Sequence, residues 1–330
     1  MIYGRRRLGK TYLIKNFIKD KPHLYILAKQ RKIKEEFARI RDMFARKFNV
    51  YMGSKSFDEF FEEIFEKIKP KKKFVFVVDE FPYWLAKNPE VVSDFQYIWD
   101  EILLNKPIML ILIGSYVSVM EEKLLSYKSP IYGRKTSQIH IKPMPVTCLK
   151  SFFPKRDMEF LLKVYGLTDT VPYYLRMIEK QSFRENLLNL LNPNHNYYQD
   201  AEILLKEEVR ETTTYLEMLK AINDGYTKLG EIASRAGVDI TNMPKYLRVL
   251  LGMKIIEKVK PVTASEREKN YIYIISDNYF KFWLTFIYNN KEGIEENLEG
   301  FVEHVIARYP SYMGSVFEKF CLKLVPKIFK

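Results

Sequence analysis

The sequence is poor in cysteine: its 330 residues include only Cys148 and Cys321, which lie far apart among apolar residues. It has no CxxC pair and no cluster of cysteine and histidine, which excludes a zinc site built on such spacing. Two buried thiols are typical of a protein kept in a reducing compartment, so we expect a cytoplasmic protein. No apolar run reaches the roughly 18 residues of a membrane-spanning helix, and no signal peptide precedes the first motif. We therefore expect no membrane partner.

Acidic residues are outnumbered by basic ones, with 41 Asp and Glu against 54 Lys and Arg, which gives a net charge of +13. Such a charge favours polyanionic partners such as nucleic acid or an acidic membrane surface. The alternative is a lysine-rich surface that serves no partner, and charge alone fits both interpretations. The hydrophobic fraction of 47% predicts packed cores, and the length leaves room for two or three domains.

The first 146 residues alternate short apolar runs with amphipathic helical stretches, a pattern that predicts a parallel α/β sheet covered on both faces. The strand candidates are residues 2–3, 23–28, 74–79, 108–114 and 138–141. Strand-like runs are absent from residues 147–210, which we predict to be a helical domain. We predict a third domain at 211–275 and a helical C-terminal segment at 276–330. Residues 201–222 read as one long helix.

A glycine-rich motif follows the first strand and fits GxxxxGK[ST] at every fixed position. Its glycines allow the backbone to wrap with N–H groups pointing at phosphates, and the helix that begins near its end adds a positive dipole. A lysine at this position bridges the β- and γ-phosphates of a nucleotide, and the following hydroxyl holds Mg²⁺. The predicted nucleotide-binding residues are Gly4, Arg5, Arg6, Arg7, Leu8, Gly9, Lys10, Thr11 and Tyr12.

A buried strand ends in Asp79 and Glu80, where ligands of parallel sheets bind. We predict that Asp79 holds the Mg²⁺ together with Thr11, and that Glu80 orients or deprotonates the attacking water. The alternative is a solvated acidic loop after a buried strand. Together with the upstream glycine-rich motif, the pattern favours a site for ATP and Mg²⁺, in which Lys10 also has a catalytic role.

Two further residues are candidates for catalysis. Ser115 follows the strand at 108–114 and could sense the γ-phosphate, or it could cap the helix predicted at 117–125. Arg134 precedes the last strand and could stabilise charge in the transition state, or it could be a surface arginine in a basic loop. Both interpretations fit each residue.

Residues 228–237 have the form of a helix-turn-helix, and residues 241–251 form the candidate recognition helix. Its apolar face would carry Met243, Leu247, Leu250 and Leu251. Thr241, Asn242, Lys245 and Arg248 form its exposed face and could contact double-stranded DNA. Residues 255–259 and 271–275 alternate as wing strands, with a charged tip from Ser265 to Lys269. A winged helix used for protein contacts fits the same pattern.

Four motifs occur in order and together resemble the archaeal ATPase family, which belongs to the STAND branch of AAA+ proteins. They are residues 2–11, 77–83, 113–115 and 132–134. The resemblance implies an α/β fold: a P-loop NTPase core at 1–146, a helical lid at 147–210 and a winged helix at 211–275. It also implies an ATPase that couples its nucleotide state to DNA binding or to assembly, including nucleotide-dependent homo-oligomers.

The sequence departs from this family in three places. It begins at Met1, almost on the glycine-rich motif, and stops at Lys330, where a nuclease-like domain would begin. The family's Gly-Gly-x-Pro before the lid appears here as Asp169-Thr170-Val171-Pro172. We therefore expect a sequence truncated at both ends, as a fragment, through a misplaced start, or as a shortened copy. A DNA-binding winged-helix regulator whose P-loop no longer hydrolyses ATP remains the alternative function.

Overall fold

The structure is a computed structural model that describes residues 1–69, 72–179, 182–260 and 271–328. The chain forms two compact units, Met1–Ile141 and Lys142–Lys330. The first unit contains the strands predicted for the parallel sheet and the helices that cover it, and the second contains the remaining helices, the predicted helix-turn-helix and its wing strands.

The first unit is built on a five-stranded sheet with the strand order β2-β3-β4-β1-β5. Each pair of neighbours is parallel, as the sequence pattern predicted. Because the strands are parallel and β4 lies between β1 and β3, the loops that follow these three strands lie side by side at the carboxyl end of the sheet. The strands are β1 (Ile2–Tyr3), β2 (His23–Leu27), β3 (Phe74–Asp79), β4 (Ile108–Gly114) and β5 (Ile139–His140).

Helices cover both faces of this sheet, and the side chains of β3 point alternately to the two faces. Val75 and Val77 point to one face, where they pack with Ile14 and Ile18 of α1 (Lys10–Ile18). The alternate residues Phe74, Phe76 and Val78 point to the other face, into a core rich in phenylalanine. That second face is covered by α2 (Ile33–Phe48), α3 (Phe57–Ile68), α4 (Pro82–Lys87) and α5 (Val91–Tyr97), which continues as a π-helical segment (Ile98–Leu103). All six residues of β3 are buried, as expected for a strand covered on both faces.

The rest of the first unit is a short connection between β4 and β5. It contains α6 (Val117–Val119), a π-helical segment (Met120–Leu124) and a 3₁₀ turn (Tyr132–Arg134). The sequence pattern predicted one helix over 117–125, and the π-helical segment covers its second half.

The second unit is mainly helical. Its elements before the helix-turn-helix are α7 (Leu149–Phe152), α8 (Met158–Thr168), α9 (Pro172–Leu175), α10 (Phe183–Leu190), α11 (Asn196–Glu208) and α12 (Thr212–Asn223). The prediction of one helix over 201–222 was wrong, because Val209 is extended (φ −136°, ψ 150°) and separates α11 from α12. No glycine or proline marks this break, so the helical periodicity gave no sign of it.

The predicted helix-turn-helix consists of α13 (Leu229–Arg235) and α14 (Met243–Gly252), followed by the antiparallel hairpin of β6 (Ile256–Val259) and β7 (Ile272–Ile275). Helix α12 packs against α13 and β7, and the backbone N–H of Tyr273 donates to the Thr227 carbonyl at 2.8 Å. This order of helices and strands fits a winged helix. The predicted wing tip, Ser265 to Lys269, lies outside the described residues.

Helix α14 begins two residues later than predicted. Asp239 accepts hydrogen bonds from the Thr241 backbone N–H at 2.8 Å and from its hydroxyl at 2.6 Å, which keeps Thr241 in a turn. Asn242 is the N-cap residue of the helix. The buried face consists of Met243, Tyr246, Leu247 and Leu250, so Tyr246 takes the place that the sequence pattern gave to Leu251.

The chain then forms α15 (Asn278–Phe282) with a π-helical segment (Trp283–Tyr288), α16 (Lys291–Glu296) and α17 (Leu298–Ile328). Gly166 on α8 allows α17 to approach closely, because a Cβ added there would lie 2.4 Å from the Tyr309 hydroxyl. Within the described ranges no helix, α17 included, combines the length and apolar character needed to cross a membrane. Cys148 and Cys321 are half-buried free thiols, more exposed than predicted.

Asp169 lies at the turn between α8 and α9 and is almost fully buried. Its carboxylate accepts hydrogen bonds from the Asn278 backbone N–H and the Lys319 ammonium, both at 3.2 Å, and the Lys323 ammonium lies at 3.8 Å. Burial by itself would raise the pKa of Asp169, but the two lysines outweigh it and lower that pKa below its ordinary value. Asp169 has a φ of 51°, where the family resemblance predicted a glycine.

Candidate nucleotide-binding site

The loop between β1 and α1 needs glycine at both fixed positions. Gly4 has a φ of 147°, and a Cβ added to it would lie 2.3 Å from the backbone oxygen of Ile141. Gly9 has a φ of 81° and is the N-cap residue of α1. These left-handed conformations favour glycine, and at Gly4 a side chain would also collide with backbone. The local backbone therefore explains why the motif requires both residues.

Lys10 is the first residue of α1 and curls back over the loop. Its ammonium group donates to the carbonyl of Gly4 at 2.7 Å and to that of Arg5 at 2.9 Å, and its side chain is 5% exposed. A buried ammonium group beside the N-terminal end of a helix makes this loop strongly attractive to an anion.

The other residues predicted to bind nucleotide differ in burial and in backbone conformation. Arg5 and Leu8 are buried in the unit, and Arg7 adopts a positive φ of 72°. Tyr12 is 73% exposed on the outer side of α1. Sequence position alone therefore placed residues with quite different surroundings in one predicted set.

Thr11 and Asp79 meet directly. The Thr11 hydroxyl donates to Asp79 Oδ2 at 2.7 Å, and the backbone N–H of Glu80 donates to Asp79 Oδ1 at 3.0 Å. Asp79 is 1% exposed. The structure thus brings together the two residues that the sequence analysis assigned to the metal, although 68 positions separate them.

The chemistry of this pair fits Mg²⁺. Mg²⁺ prefers oxygen ligands at 2.0–2.1 Å in octahedral geometry, in which neighbouring ligands lie about 2.9 Å apart. The Thr11 and Asp79 oxygens, at 2.7 Å, are close to that spacing. The described ranges contain no group of three or more His, Cys, Asp or Glu residues suited to a metal ion. A nucleotide-bound Mg²⁺ needs no such group, since phosphates and water supply its other ligands.

Tyr25, on β2, is a residue of this site that the sequence analysis missed. Its hydroxyl donates to Asp79 Oδ2 at 2.6 Å. Burial raises the pKa of the Tyr25 phenol well above its ordinary value, and the hydrogen bond to Asp79 raises it further. The phenol therefore stays protonated and remains a donor. Tyr25 is paired with Val77 in the sheet, so only the register between β2 and β3 could have revealed it.

Glu80 is held by Ser115 at the end of the neighbouring strand. The Ser115 hydroxyl donates to Glu80 Oε1 at 2.6 Å, and its backbone N–H donates to Oε2 at 3.3 Å. Helix α6 has Tyr116 as its N-cap residue and no side-chain cap, so the interpretation of Ser115 as a capping residue was wrong. Glu80 itself has a φ of 58°, a conformation uncommon outside glycine.

Arg134 has a different set of partners. Its Nε and Nη2 atoms donate to the Asp100 carboxylate at distances of 2.9 to 3.1 Å, and Nη1 donates to the Pro130 carbonyl at 2.8 Å. These bonds favour the ionised form of Asp100 and lower its pKa. The described contacts of Arg134 therefore do not join it to Lys10, Asp79 or Glu80, and its catalytic role stays a prediction.

The four residues assigned to nucleic acid share one surface of the second unit. All four are exposed: Thr241 and Asn242 lie just before α14, and Lys245 and Arg248 lie along it. The Lys245 ammonium lies 3.8 Å from the Glu211 carboxylate, which also accepts a hydrogen bond from the Tyr246 hydroxyl.

Comparison with known proteins agrees with this geometry. A family model described as an ATPase domain predominantly from Archaea matches residues 1–178, and one described as archaeal and bacterial proteins of unknown function matches 283–330. An uncharacterized protein of Methanocaldococcus jannaschii is 38% identical over 320 residues, which cover 97% of this chain and 70% of that protein.

Two solved structures share the fold. A Walker-type ATPase of Pyrococcus abyssi has a TM-score of 0.62 at 22% identity, covering 86% of this chain and 90% of that one. The ORC2 protein of Aeropyrum pernix, in a structure of its ADPNP and ADP complexes, has a TM-score of 0.51 at 14% identity, covering 89% and 88%. The resemblance inferred from the four motifs is confirmed, and the chain belongs to the family of ATPase domains found predominantly in Archaea.

Proposed function

We propose that the first unit binds ATP with Mg²⁺ and hydrolyses it to ADP and phosphate. The observation that carries the proposal is the 2.7 Å hydrogen bond between Thr11 and Asp79, beside a loop whose lysine is buried. The Lys10 ammonium and the backbone N–H groups of the loop would bind the phosphates. Thr11 and Asp79 would hold the Mg²⁺, which neutralises charge on the β- and γ-phosphates when bound.

Glu80 is the candidate base of the reaction. Its carboxylate would orient a water molecule and accept its proton as the water oxygen attacks the γ-phosphorus, while the bond to the leaving ADP oxygen breaks. Ser115 holds both oxygens of this carboxylate, which supports a fixed orientation. A carboxylate has about four lone-pair sites, so the two hydrogen bonds from Ser115 leave Glu80 able to accept a proton.

Similar proteins support nucleotide as the ligand. The Aeropyrum pernix ORC2 structure contains ADPNP and ADP complexes, and the Pyrococcus abyssi protein is a Walker-type ATPase. Both likenesses extend over more than four fifths of this chain. They support the fold, whereas the proposed chemistry depends on the contacts of Lys10, Thr11 and Asp79.

The test is phosphate release from MgATP by the wild type and by Lys10→Ala. We expect Lys10→Ala to lose nearly all activity, because the substitution removes the buried positive charge that would bind the phosphates. Lys19→Ala is the matched control, since Lys19 is exposed at the end of the same helix. Equal rates for the wild type and Lys10→Ala in clean preparations would contradict the proposal and favour the alternative of a P-loop that no longer hydrolyses ATP.

For the second unit we propose that α14 binds double-stranded DNA and that nucleotide state modulates this binding or self-assembly. Support comes from the exposed Thr241, Asn242, Lys245 and Arg248 and from the net charge of +13. Arginine and lysine on such a helix bind phosphates or base edges in the major groove. A protein-binding winged helix is the competing use of the same surface.

Titration of a DNA duplex at several salt concentrations, with and without MgATP, tests this second proposal. Lys245→Ala and Arg248→Ala should each weaken binding, and each should reduce the salt slope by about 1 if the side chain binds a phosphate. Lys206→Ala on α11 is the control, as its side chain is 66% exposed and lies outside the helix-turn-helix. Binding that ignores ATP and survives Lys10→Ala would support the DNA-binding regulator instead of the switch.

A further inference from the structure

We infer that Arg6 is a positioning residue for hydrolysis: its guanidinium lies beside the Glu80 carboxylate oxygen that Ser115 also binds, and Tyr83 and Tyr116 hold the guanidinium in turn. The inference rests on the proposed function, since it concerns the base of that reaction. It assigns to Arg6 a role that the phosphate-loop motif does not, because the motif accepts any residue at this position.

Arg6 contacts three side chains at and beyond the ends of β3 and β4, namely those of Glu80, Tyr83 and Tyr116. Its Nη1 atom lies 3.9 Å from Glu80 Oε1, and its Nη2 atom donates to the Tyr83 hydroxyl at 2.6 Å. The guanidinium carbon lies 5.4 Å from the centre of the Tyr116 ring and 6.0 Å from that of Tyr83. Attraction between a cation and the face of an aromatic ring acts at these distances.

Tyr83 and Tyr116 also contact each other, which restrains the two rings that lie beside the Arg6 guanidinium. Their rings pack edge to face with centres 5.7 Å apart. The Tyr83 backbone N–H donates to the Glu80 carbonyl at 2.9 Å, so Tyr83 is anchored to the residue whose side chain Arg6 contacts. Burial raises the pKa of the Tyr116 phenol to about 12, so this ring stays neutral at physiological pH.

Glu80 is restrained both in its backbone and in its side chain. Its φ of 58° is strained for a residue other than glycine, and such a conformation persists where the surroundings enforce it. Ser115 binds both carboxylate oxygens, and Arg6 approaches the oxygen that also takes the 2.6 Å bond from Ser115. The side chains of Arg6 and Glu80 are 18% and 13% exposed, so water screens their interaction only in part. Ser115 and Arg6, which lie in different loops, thus both restrain the Glu80 carboxylate.

The test compares MgATP affinity with turnover, because a positioning role affects mainly the second. Affinity is measured with a fluorescent ATP analogue and turnover by phosphate release at saturating MgATP. We expect Arg6→Met to lower kcat about 10- to 100-fold, the range expected for a misplaced catalytic group. Its Kd should stay close to the wild-type value. Arg46→Met, on the exposed side of α2, is the control for loss of an arginine.

Three further variants separate positioning from a general structural effect. Arg6→Lys should recover part of the lost kcat, because it keeps the charge but not the planar fork. Tyr83→Phe should lower kcat less than Arg6→Met does, since it removes only the hydrogen bond that holds the guanidinium. In a Glu80→Gln background, Arg6→Met should lower kcat no further, because the two residues act on one step.

The outcomes also distinguish this inference from the proposed function. A wild type that binds MgATP no better than Lys10→Ala would contradict the proposed function itself. The Arg6 inference would be overturned by an Arg6→Met variant that keeps its kcat or that loses only nucleotide affinity. Full additivity with Glu80→Gln would overturn it too, whereas a wild type that binds MgATP without hydrolysing it would contradict the proposed function.

Discussion

Each unit of the molecule contains a buried carboxylate at the end of a regular element, and the two differ in what surrounds them. Asp79, at the end of β3, is 1% exposed and accepts hydrogen bonds from two hydroxyls and a backbone N–H. Asp169, after α8, is 2% exposed and has Lys319 and Lys323 as ion-pair partners.

The difference separates the carboxylate that we propose to bind Mg²⁺ from one that is balanced by ion pairs. Hydroxyl and amide donors orient the Asp79 carboxylate without neutralising it, so its charge remains available to a cation. At Asp169 the charge is already balanced by two ammonium groups, one of which also donates to the Ser276 carbonyl. Burial alone therefore does not distinguish these two carboxylates, whereas the charge of their partners does.

The largest expected effect is that of Asp79→Asn on activity. Removal of the charge should lower kcat/KM for MgATP about 10³-fold, because a bound metal contributes several kcal/mol to transition-state stabilisation. The free energy of unfolding should change by only about 1–2 kcal/mol, because the amide oxygen still accepts from the two hydroxyls while the amide nitrogen cannot accept from the Glu80 backbone N–H. Phosphate release and urea unfolding measure the two quantities. Asp20→Asn, an exposed residue after α1, is the control; a large loss of stability with activity retained would reverse the assignment.

Asp169→Asn should instead lower the free energy of unfolding, with little effect on ATP hydrolysis. Asparagine matches aspartate in shape, so the substitution removes the charge with little change in packing. Removal of one partner from a buried pair is strongly destabilising, and partial exposure of the lysines reduces the expected loss to about 2–3 kcal/mol of unfolding free energy. Urea unfolding checks this value against Asp224→Asn at the exposed end of α12. A variant as stable as the wild type would mean that the ion pair has no net effect.

Tyr25→Phe should weaken the site without abolishing it. The substitution removes one of the two hydroxyl donors to Asp79 Oδ2, and Thr11 remains. Loss of a hydrogen bond to a charged group is typically worth about 1.5 kcal/mol, so activity at limiting Mg²⁺ should fall roughly tenfold. Titration of ATP hydrolysis with Mg²⁺ measures the effect. Tyr127→Phe, at a tyrosine that is 75% exposed, should behave like the wild type; the same behaviour from Tyr25→Phe would exclude Tyr25 from the site.

The smallest effect concerns pH. Because the pKa of Asp169 is lowered in the folded state from its ordinary value of 3.8, its contribution to stability is fully present above that value. The contribution is lost as the pH falls through the lowered folded-state value. The stability difference between the wild type and Asp169→Asn should therefore shrink below about pH 4, by about 1.4 kcal/mol for each unit by which the pKa is lowered. A difference that stays constant down to pH 2 would contradict the ion-pair explanation.

Much of the first unit could be predicted from the sequence because its signals are local. The glycine-rich loop is contiguous, and the buried strands are short apolar runs bounded by turns. The ends of β3 and β4 identified Asp79, Glu80 and Ser115 before any contact was known. The second unit was harder: the break at Val209 carries no glycine or proline, and the start of α14 depends on a side-chain turn at Asp239.

Three features of the molecule depend on tertiary structure. Tyr25 and Asp79 meet through the register of two strands, and Arg6 reaches Glu80 across two loops. Asp169 and Lys319 are 150 positions apart.

Local sequence fixed the phosphate loop, the strands that flank it and most helices, because backbone conformation and burial of apolar faces depend on neighbouring residues. The partners of each buried charge followed from packing between distant segments. That packing alone distinguishes a carboxylate available to Mg²⁺ from one balanced by lysine, because the free energy of a buried charge depends on which groups surround it.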